Sequence, residues 1–212
     1  DQLLDESLPI TWRHINKLAG CGALGDLGSH LLSISQFIMG DITKVNAVAT
    51  TVFPKRPKAA GSTEMADVEN EDIMTFMAEY ANGAIGQIAC SRVATGRKNY
   101  LTYEIQGTKG SVRYDLERMG EVQVYFQSDN ERDRGFRTVL LNPLMKGYSA
   151  FQPAAGISIA YNDMKILEVH ALFDAITNGA DYVTDFEFGY KIDRTVAAVI
   201  ESSKTHEWVD VK

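Results

Sequence analysis

The chain has 212 residues, with 21 Lys+Arg against 28 Asp+Glu and a formal net charge of −7. Apolar residues make up 45% and charged residues 23%, which is globular composition and argues against disorder. The acidic balance argues against nucleic acid or an anionic membrane as partner, and no apolar run reaches transmembrane length.

Residues 1–22 read as irregular, around Pro9, Gly20 and Gly22. A helix is predicted from about Leu24 to Met39. Leu24, Leu27, Leu31, Ile34 and Ile38 recur there at steps of three and four, forming one apolar stripe, and Gly40 is the stop signal. The β-branched run from Ile42 to Phe53 predicts a strand ended by Pro54 and Pro57, and residues 55–67 read as a polar loop. The middle of the chain alternates apolar and polar residues along successive strands. Met74, Phe76 and Tyr80 mark one, and Ala84–Ser91 returns from it across an Asn82-Gly83 hairpin turn. Leu101/Tyr103/Ile105, Val112/Tyr114/Leu116, Val122/Val124/Phe126 and Phe136–Leu141 follow. Apolar residues on both faces of the first of these (Ile73, Met74, Phe76, Met77) predict burial on two sides.

Residues 142–162 read as irregular. Two helices follow, from about Asp163 to Asn178, with Ile166, Val169, Phe173 and Ile176 on one face, and from about Phe188 to Ser203. A short strand, Trp208–Val211, closes the chain. Short turns between strands imply antiparallel pairing. The expected fold class is α+β, a large, mainly antiparallel open sheet with helices packed on one face, as a single domain over residues 1–212.

Two cysteines, Cys21 and Cys90, are too few for a disulfide framework or a four-thiolate zinc site. They read as reduced thiols of a cytoplasmic protein, a single Cys21–Cys90 bridge being the alternative. Asp1 to Ile10 lack the basic-then-apolar order of a signal peptide. The chain also does not start with Met, and the expectation is a piece of a longer polypeptide.

No G-x-G-x-x-G follows a strand, and no P-loop, H-E-x-x-H, G-x-S-x-G or C-x-x-C occurs, so no dinucleotide or metal site is expected on the chain itself. One constellation carries chemistry. In Gly25-Asp26-Leu27-Gly28-Ser29-His30, Asp26 and His30 are four residues apart, which stacks their side chains on a helix at the edge of the apolar stripe. Gly28 lacks a β-carbon and so permits close approach of another group. An imidazole beside a carboxylate suits proton transfer near neutral pH. Two other readings fit the same spacing: Asp26 as a helix N-cap with His30 on the surface, or a metal pair, which needs a further ligand that no residue supplies.

These residues resemble a known family. Trp12-Arg13, Leu18-Ala19-Gly20 and Gly22-Ala23-Leu24-Gly25-Asp26-Leu27-Gly28-Ser29-His30 are similar to the start of the C-terminal domain of the Gfo/Idh/MocA oxidoreductases, relatives of glucose–fructose oxidoreductase and inositol dehydrogenase. The likeness continues in Asn82-Gly83-Ala84, Ser91-Arg92, Glu104-Ile105-Gln106-Gly107-Thr108-Lys109-Gly110-Ser111, Asp185-Phe186 and Trp208-Val209, over nearly the whole chain. The resemblance implies the open antiparallel sheet of that domain, related to glyceraldehyde-3-phosphate dehydrogenase, and a partner Rossmann domain for NAD or NADP in the full-length parent, with no cofactor on this chain.

It also implies that Asp26 and His30 are catalytic, together with a Lys of the Rossmann domain. His30 takes the proton of a sugar, polyol or inositol hydroxyl while hydride leaves to the nicotinamide. Trp12 and Arg13 fall in the loop that lines the sugar pocket, ordinary surface packing being their alternative role. Arg92 and Arg97 are weaker candidates. The implied parent is an NAD(P)-dependent dehydrogenase, a homo-dimer or tetramer through its sheet face, and the isolated chain is expected to be inactive. The competing reading is a non-catalytic assembly module that uses the sheet face for dimerisation.

Overall fold

The computed structural model describes residues 3–145 and 147–212. The chain divides into two compact units, one holding the residues up to Gly96 together with Val183–Lys212, the other Arg97–Tyr182.

In the first unit a 3-10 turn (Trp12–His14) and α1 (Asn16–Ala19) precede a π turn (Leu24–Gly28) that runs directly into α2 (Ser29–Met39). Strands β1 (Ile42–Thr50), β2 (Lys55–Pro57), β3 (Met65–Asp67), β4 (Ile73–Tyr80) and β5 (Ile85–Ser91) follow. Residues 55–67, expected as a loop, form the β2–β3 ribbon, with Lys55 opposite Asp67 and Pro57 opposite Met65. Pro57 ends β2 because it has no N–H to offer a ladder.

The alternation along β4 buries Met74, Phe76, Ala78 and Tyr80 and leaves Met77 half exposed. On β1 the register shifts between Ile42 and Lys44. That bulge lets Ile42, Val45 and Ala47 all face the core despite their mixed parity. Burial of β4 on both faces does not occur within this unit. Val48, Met77 and Ile85 stand exposed on the face away from the core, since the helices cover one side only.

The stripe on α2 also differs from expectation. Leu24 and Leu32 are fully buried, with Gly28 between them, whereas Leu27 and Ile38 are exposed. The π turn inserts one residue into the helical count, so the fully buried positions fall at 24, 28 and 32, Leu27 turns outward, and Leu31 stays half-buried against the core.

The second unit is a meander of β6 (Thr102–Gln106), β7 (Gly110–Asp115), β8 (Glu121–Phe126) and β9 (Arg137–Leu140), antiparallel throughout, followed by α3 (Tyr161–Asn178). Tyr103, Ile105, Val112, Tyr114, Val122 and Val124 share one face by register. The apolar residues Ile166, Val169, Phe173 and Ile176 of α3 are all exposed.

The chain then returns to the first unit with α4 (Phe186–Thr205) and β10 (Val209–Asp210), which completes a sheet of order β10-β1-β4-β5. Asp185 caps α4 by accepting the Phe188 N–H at 2.9 Å. Ile192, Ala198 and Val199 pack with Leu24, Leu32, Val45 and Phe76 in the core. Two buried polar bolts fix the helices to each other and to β1. Gln36 Nε2 donates to Thr195 Oγ1 at 3.1 Å, and Ser202 Oγ accepts the Ala47 N–H at 2.9 Å. The fold is α+β with mainly antiparallel sheets, as expected; among the described residues the strands group into two four-stranded sheets and a ribbon.

Candidate functional site

Asp26 and His30 lie on the helix entered at Ala23. That entrance has no side-chain cap of its own. Its donors are taken by a residue 49 positions away. Glu71, just ahead of β4, accepts the Gly22 N–H on both carboxylate oxygens at 3.0 and 2.9 Å, and the Leu24 N–H at 2.9 Å. The Ala23 N–H goes to the Glu71 carbonyl at 3.0 Å. Orphan amides at a helix start need such acceptors, so the N-cap reading of Asp26 is corrected: Asp26 lies inside the turn, and Glu71 does the capping. The backbones meet so closely that a β-carbon on Gly22 would fall 2.0 Å from the Glu71 carbonyl oxygen.

Downstream, the Ser29 N–H reaches the Leu24 carbonyl, five residues back, which defines the π turn. Ser29 Oγ donates to the Gly25 carbonyl at 2.8 Å. Gly28, read as room for an approaching group, is buried against β5. A β-carbon there would lie 3.1 Å from Cys90 Sγ, and one on Gly25 would lie 2.6 Å from Cys21 Sγ. Both thiols are free. Burial, helped by the Glu71 charge, pushes the Cys21 thiol up and the Cys90 thiol to about 12, so both are neutral and poorly nucleophilic at pH 7.

The side chains of Asp26 and His30 are exposed, and among the described residues neither holds a hydrogen bond or an ion pair. They are open to an incoming molecule. Among the described residues no group of three or more His, Cys, Asp or Glu is placed to hold a metal ion.

Trp12 and Arg13 are also exposed, and they meet each other: the guanidinium lies 4.4 Å from the centroid of the indole. Behind them His14 is buried. Its Nδ1 accepts the Thr11 N–H at 3.0 Å, which leaves the proton on Nε2, and Nε2 has no partner among the described residues. Burial lowers the His14 pKa, with the positive charges of Arg92 and Arg56 adding to the effect.

Asn70 holds this segment from below, donating to the Arg13 carbonyl at 2.9 Å and accepting from Asn16 Nδ2 at 3.1 Å. Glu69 accepts the Asn16 N–H at 2.7 Å. The three residues Glu69-Asn70-Glu71 therefore carry both the segment of the Trp12–Arg13 pair and the turn bearing Asp26. No direct hydrogen bond or ion pair joins the two pairs among the described residues. Sequence reading missed this rack, because its partners lie about 50 positions away and no periodicity marks them.

Arg92 is committed inside the fold, donating through Nε to Asp72 Oδ1 at 2.8 Å. Arg97 pairs with Glu117 at 3.3 Å and lies 3.6 Å over the Tyr100 ring. Arg92 is buried in its pair, whereas Arg97 stays half exposed. A cavity of about 460 Å³ opens between α2 and the start of α4, lined by Ser33, Asp185, Phe186, Tyr190 and Asp193 among others; none of the four predicted site residues lines it.

The glycine-rich approach to α2 does not form a dinucleotide cradle. Such a cradle presents free amides at a helix start, and here Glu71 occupies those of Gly22, Ala23 and Leu24. The amides of Gly22, Ala23 and Leu24 therefore do not fit a phosphate-binding role at this helix start.

A fold alone does not define an activity, and comparison with known proteins supplies the family. The family model described as "Oxidoreductase family, C-terminal alpha/beta domain" matches residues 3–211. The levoglucosan dehydrogenase of Pseudarthrobacter phenanthrenivorans is 37% identical over 222 residues, covering 100% of this chain and 57% of that protein. Its solved complex with NADH and L-sorbose matches with a TM-score of 0.94 over 100% of this chain and 56% of that one. An oxidoreductase domain protein from Kribbella flavida is 34% identical, with a TM-score of 0.94, over 100% of this chain and 57% of that one. The D-apiose dehydrogenase of Rhizobium rhizogenes is 30% identical over 45% of this chain and 26% of that protein. The chain belongs to the Gfo/Idh/MocA oxidoreductase family, as its C-terminal α/β domain. It spans little more than half the length of the levoglucosan dehydrogenase it matches.

Proposed function

We propose that this chain is the substrate-binding and proton-handling part of an NAD(H)-dependent dehydrogenase that oxidises a CH–OH group of a sugar, with polyols and inositols as neighbouring substrate classes. The carrying observation is the exposed state of Asp26 and His30, without a side-chain partner among the described residues, on a helix start whose Gly22, Ala23 and Leu24 amides are bonded to Glu71. His30 takes the hydroxyl proton, and Asp26, which makes no bond to the imidazole, polarises the same region and orients the sugar. Trp12 offers its open ring face to a pyranose and Arg13 bonds hydroxyls, in keeping with the exposure of both. The nicotinamide, held by residues outside this chain, supplies the hydride acceptor.

In this reading residues 1–212 work as one substrate domain and do not turn over by themselves. The apolar residues Val48, Met77 and Ile85 on the uncovered sheet face support association with a second copy, and two unbridged thiols suit the cytoplasm. Among the described residues no helix is long and apolar enough to cross a membrane.

The test is a substrate panel on the full-length protein. NADH formation with anhydrosugars, aldoses and inositols is expected for at least one sugar, while calorimetry of this chain alone with NAD and NADP is expected to show no binding. Failure of every sugar, or micromolar dinucleotide binding by this chain, contradicts the proposal.

A further inference from the structure

We propose that Glu71 is the positioning residue of the proton-handling pair, setting where Asp26 stands by holding the π turn open at its entrance. This inference rests on the proposed catalytic reading of Asp26 and His30.

Three consecutive amides, those of Gly22, Ala23 and Leu24, end on the side chain and carbonyl of this one residue. Bonds from N–H groups to an ionised carboxylate are the stronger kind, and two of the three are of that type. Asp26 follows two residues later. Its own N–H returns to the Gly22 carbonyl at 3.2 Å, so the peptide that presents Asp26 hangs from a residue that Glu71 grips. The turn is a π turn, an arrangement with one residue more than the α-helix count. The Glu71 clamp fixes its first end, and the Ser29 hydroxyl on the Gly25 carbonyl fixes its second.

The sequence on both sides is adapted to this grip. Gly22 has no β-carbon where one would collide with the Glu71 carbonyl at 2.0 Å, and Gly25 and Gly28 leave room for the two sulfurs beneath the turn. Glu71 itself continues into β4, whose pairing with β1 and β5 makes it a stiff anchor. Without the carboxylate, the Gly22 and Leu24 amides lose their acceptors while the Ala23 amide keeps the Glu71 carbonyl, and the turn is free to relax to the α-helical count. That change rotates Asp26 relative to His30 while leaving α2 and its buried residues in place.

The experiment compares Glu71→Ala and Glu71→Gln in the full-length dehydrogenase, with His30→Ala as a separate variant. Glu71→Ala is expected to speed hydrogen exchange at the amides of Gly22 and Leu24 by about tenfold or more, to lower kcat by about tenfold or more, and to leave KM within about twofold. Glu71→Gln retains one acceptor oxygen and is expected to recover most of kcat. Unchanged exchange in Glu71→Ala overturns the clamp. Faster exchange with kcat at the wild-type level, or equal loss in kcat and stability that Glu71→Gln does not rescue, overturns the positioning role. Wild-type turnover in His30→Ala would instead overturn the catalytic reading, a result distinguishable from either failure at Glu71.

Discussion

Arg92 and Asp72 form an ion pair almost without water. The Nε–Oδ1 distance is 2.8 Å, and the two side chains are 7% and 2% exposed. The remaining carboxylate oxygen accepts the Val52 N–H at 2.7 Å, so the pair ties the end of β5 to the start of β4 and the segment after β1. Removing one partner of such a pair leaves the other charge buried and uncompensated, which costs about 3–5 kcal/mol. Arg92→Ala is therefore expected to lower the urea midpoint strongly, and Arg92→Met with Asp72→Asn to cost much less than either single change. A loss below about 1 kcal/mol in Arg92→Ala would contradict this picture.

The two glycines under the helix entrance differ in what surrounds them. At Gly22 the obstacle is backbone, the Glu71 carbonyl; at Gly28 it is the Leu24 side chain at 2.9 Å and the Cys90 sulfur at 3.1 Å. Side chains yield and backbone does not, so overpacking at Gly28 falls in the usual range of about 1–3 kcal/mol. Gly22→Ala is expected to exceed it. Thermal melts of the two variants measure the order, and a Gly22→Ala protein as stable as wild type would disagree with the geometry.

What the sequence made legible follows from local physics. The strands of the middle, both long helices and the Asn82-Gly83 turn obey periodicities that a window of ten residues contains. Asp26 and His30 were found because their spacing is local and their context resembles a family. The π turn is not legible in a local window, because the acceptor for its entrance amides, Glu71, is remote in sequence, and its local trace is a run of glycines with several meanings. Alternation says which face a side chain takes and not which strand lies beside it, so the strand order β10-β1-β4-β5 is read only from the structure. His14 reads as any histidine until its burial is known.

His14 gives the stability a pH dependence with a definite sign. Its pKa is lowered in the folded chain, chiefly by burial, while in the unfolded chain it titrates near 6.5. Between these two values the unfolded chain binds more protons, so stability rises with pH through that window. The contribution is complete above about pH 6.5 and is lost as the pH falls through the folded value. His14→Gln, which keeps an acceptor for the Thr11 N–H, is expected to flatten this part of the curve in urea titrations at successive pH values. An unaltered slope would remove His14 as its source.

The central claim is that His30 handles the proton of the sugar hydroxyl. The most direct measurement is kcat/KM of His30→Ala in the full-length enzyme, with dinucleotide affinity and assembly checked in the same preparation. Loss of a general base predicts a fall of about 100-fold or more with dinucleotide affinity and assembly intact. Turnover within a fewfold of wild type would contradict the account.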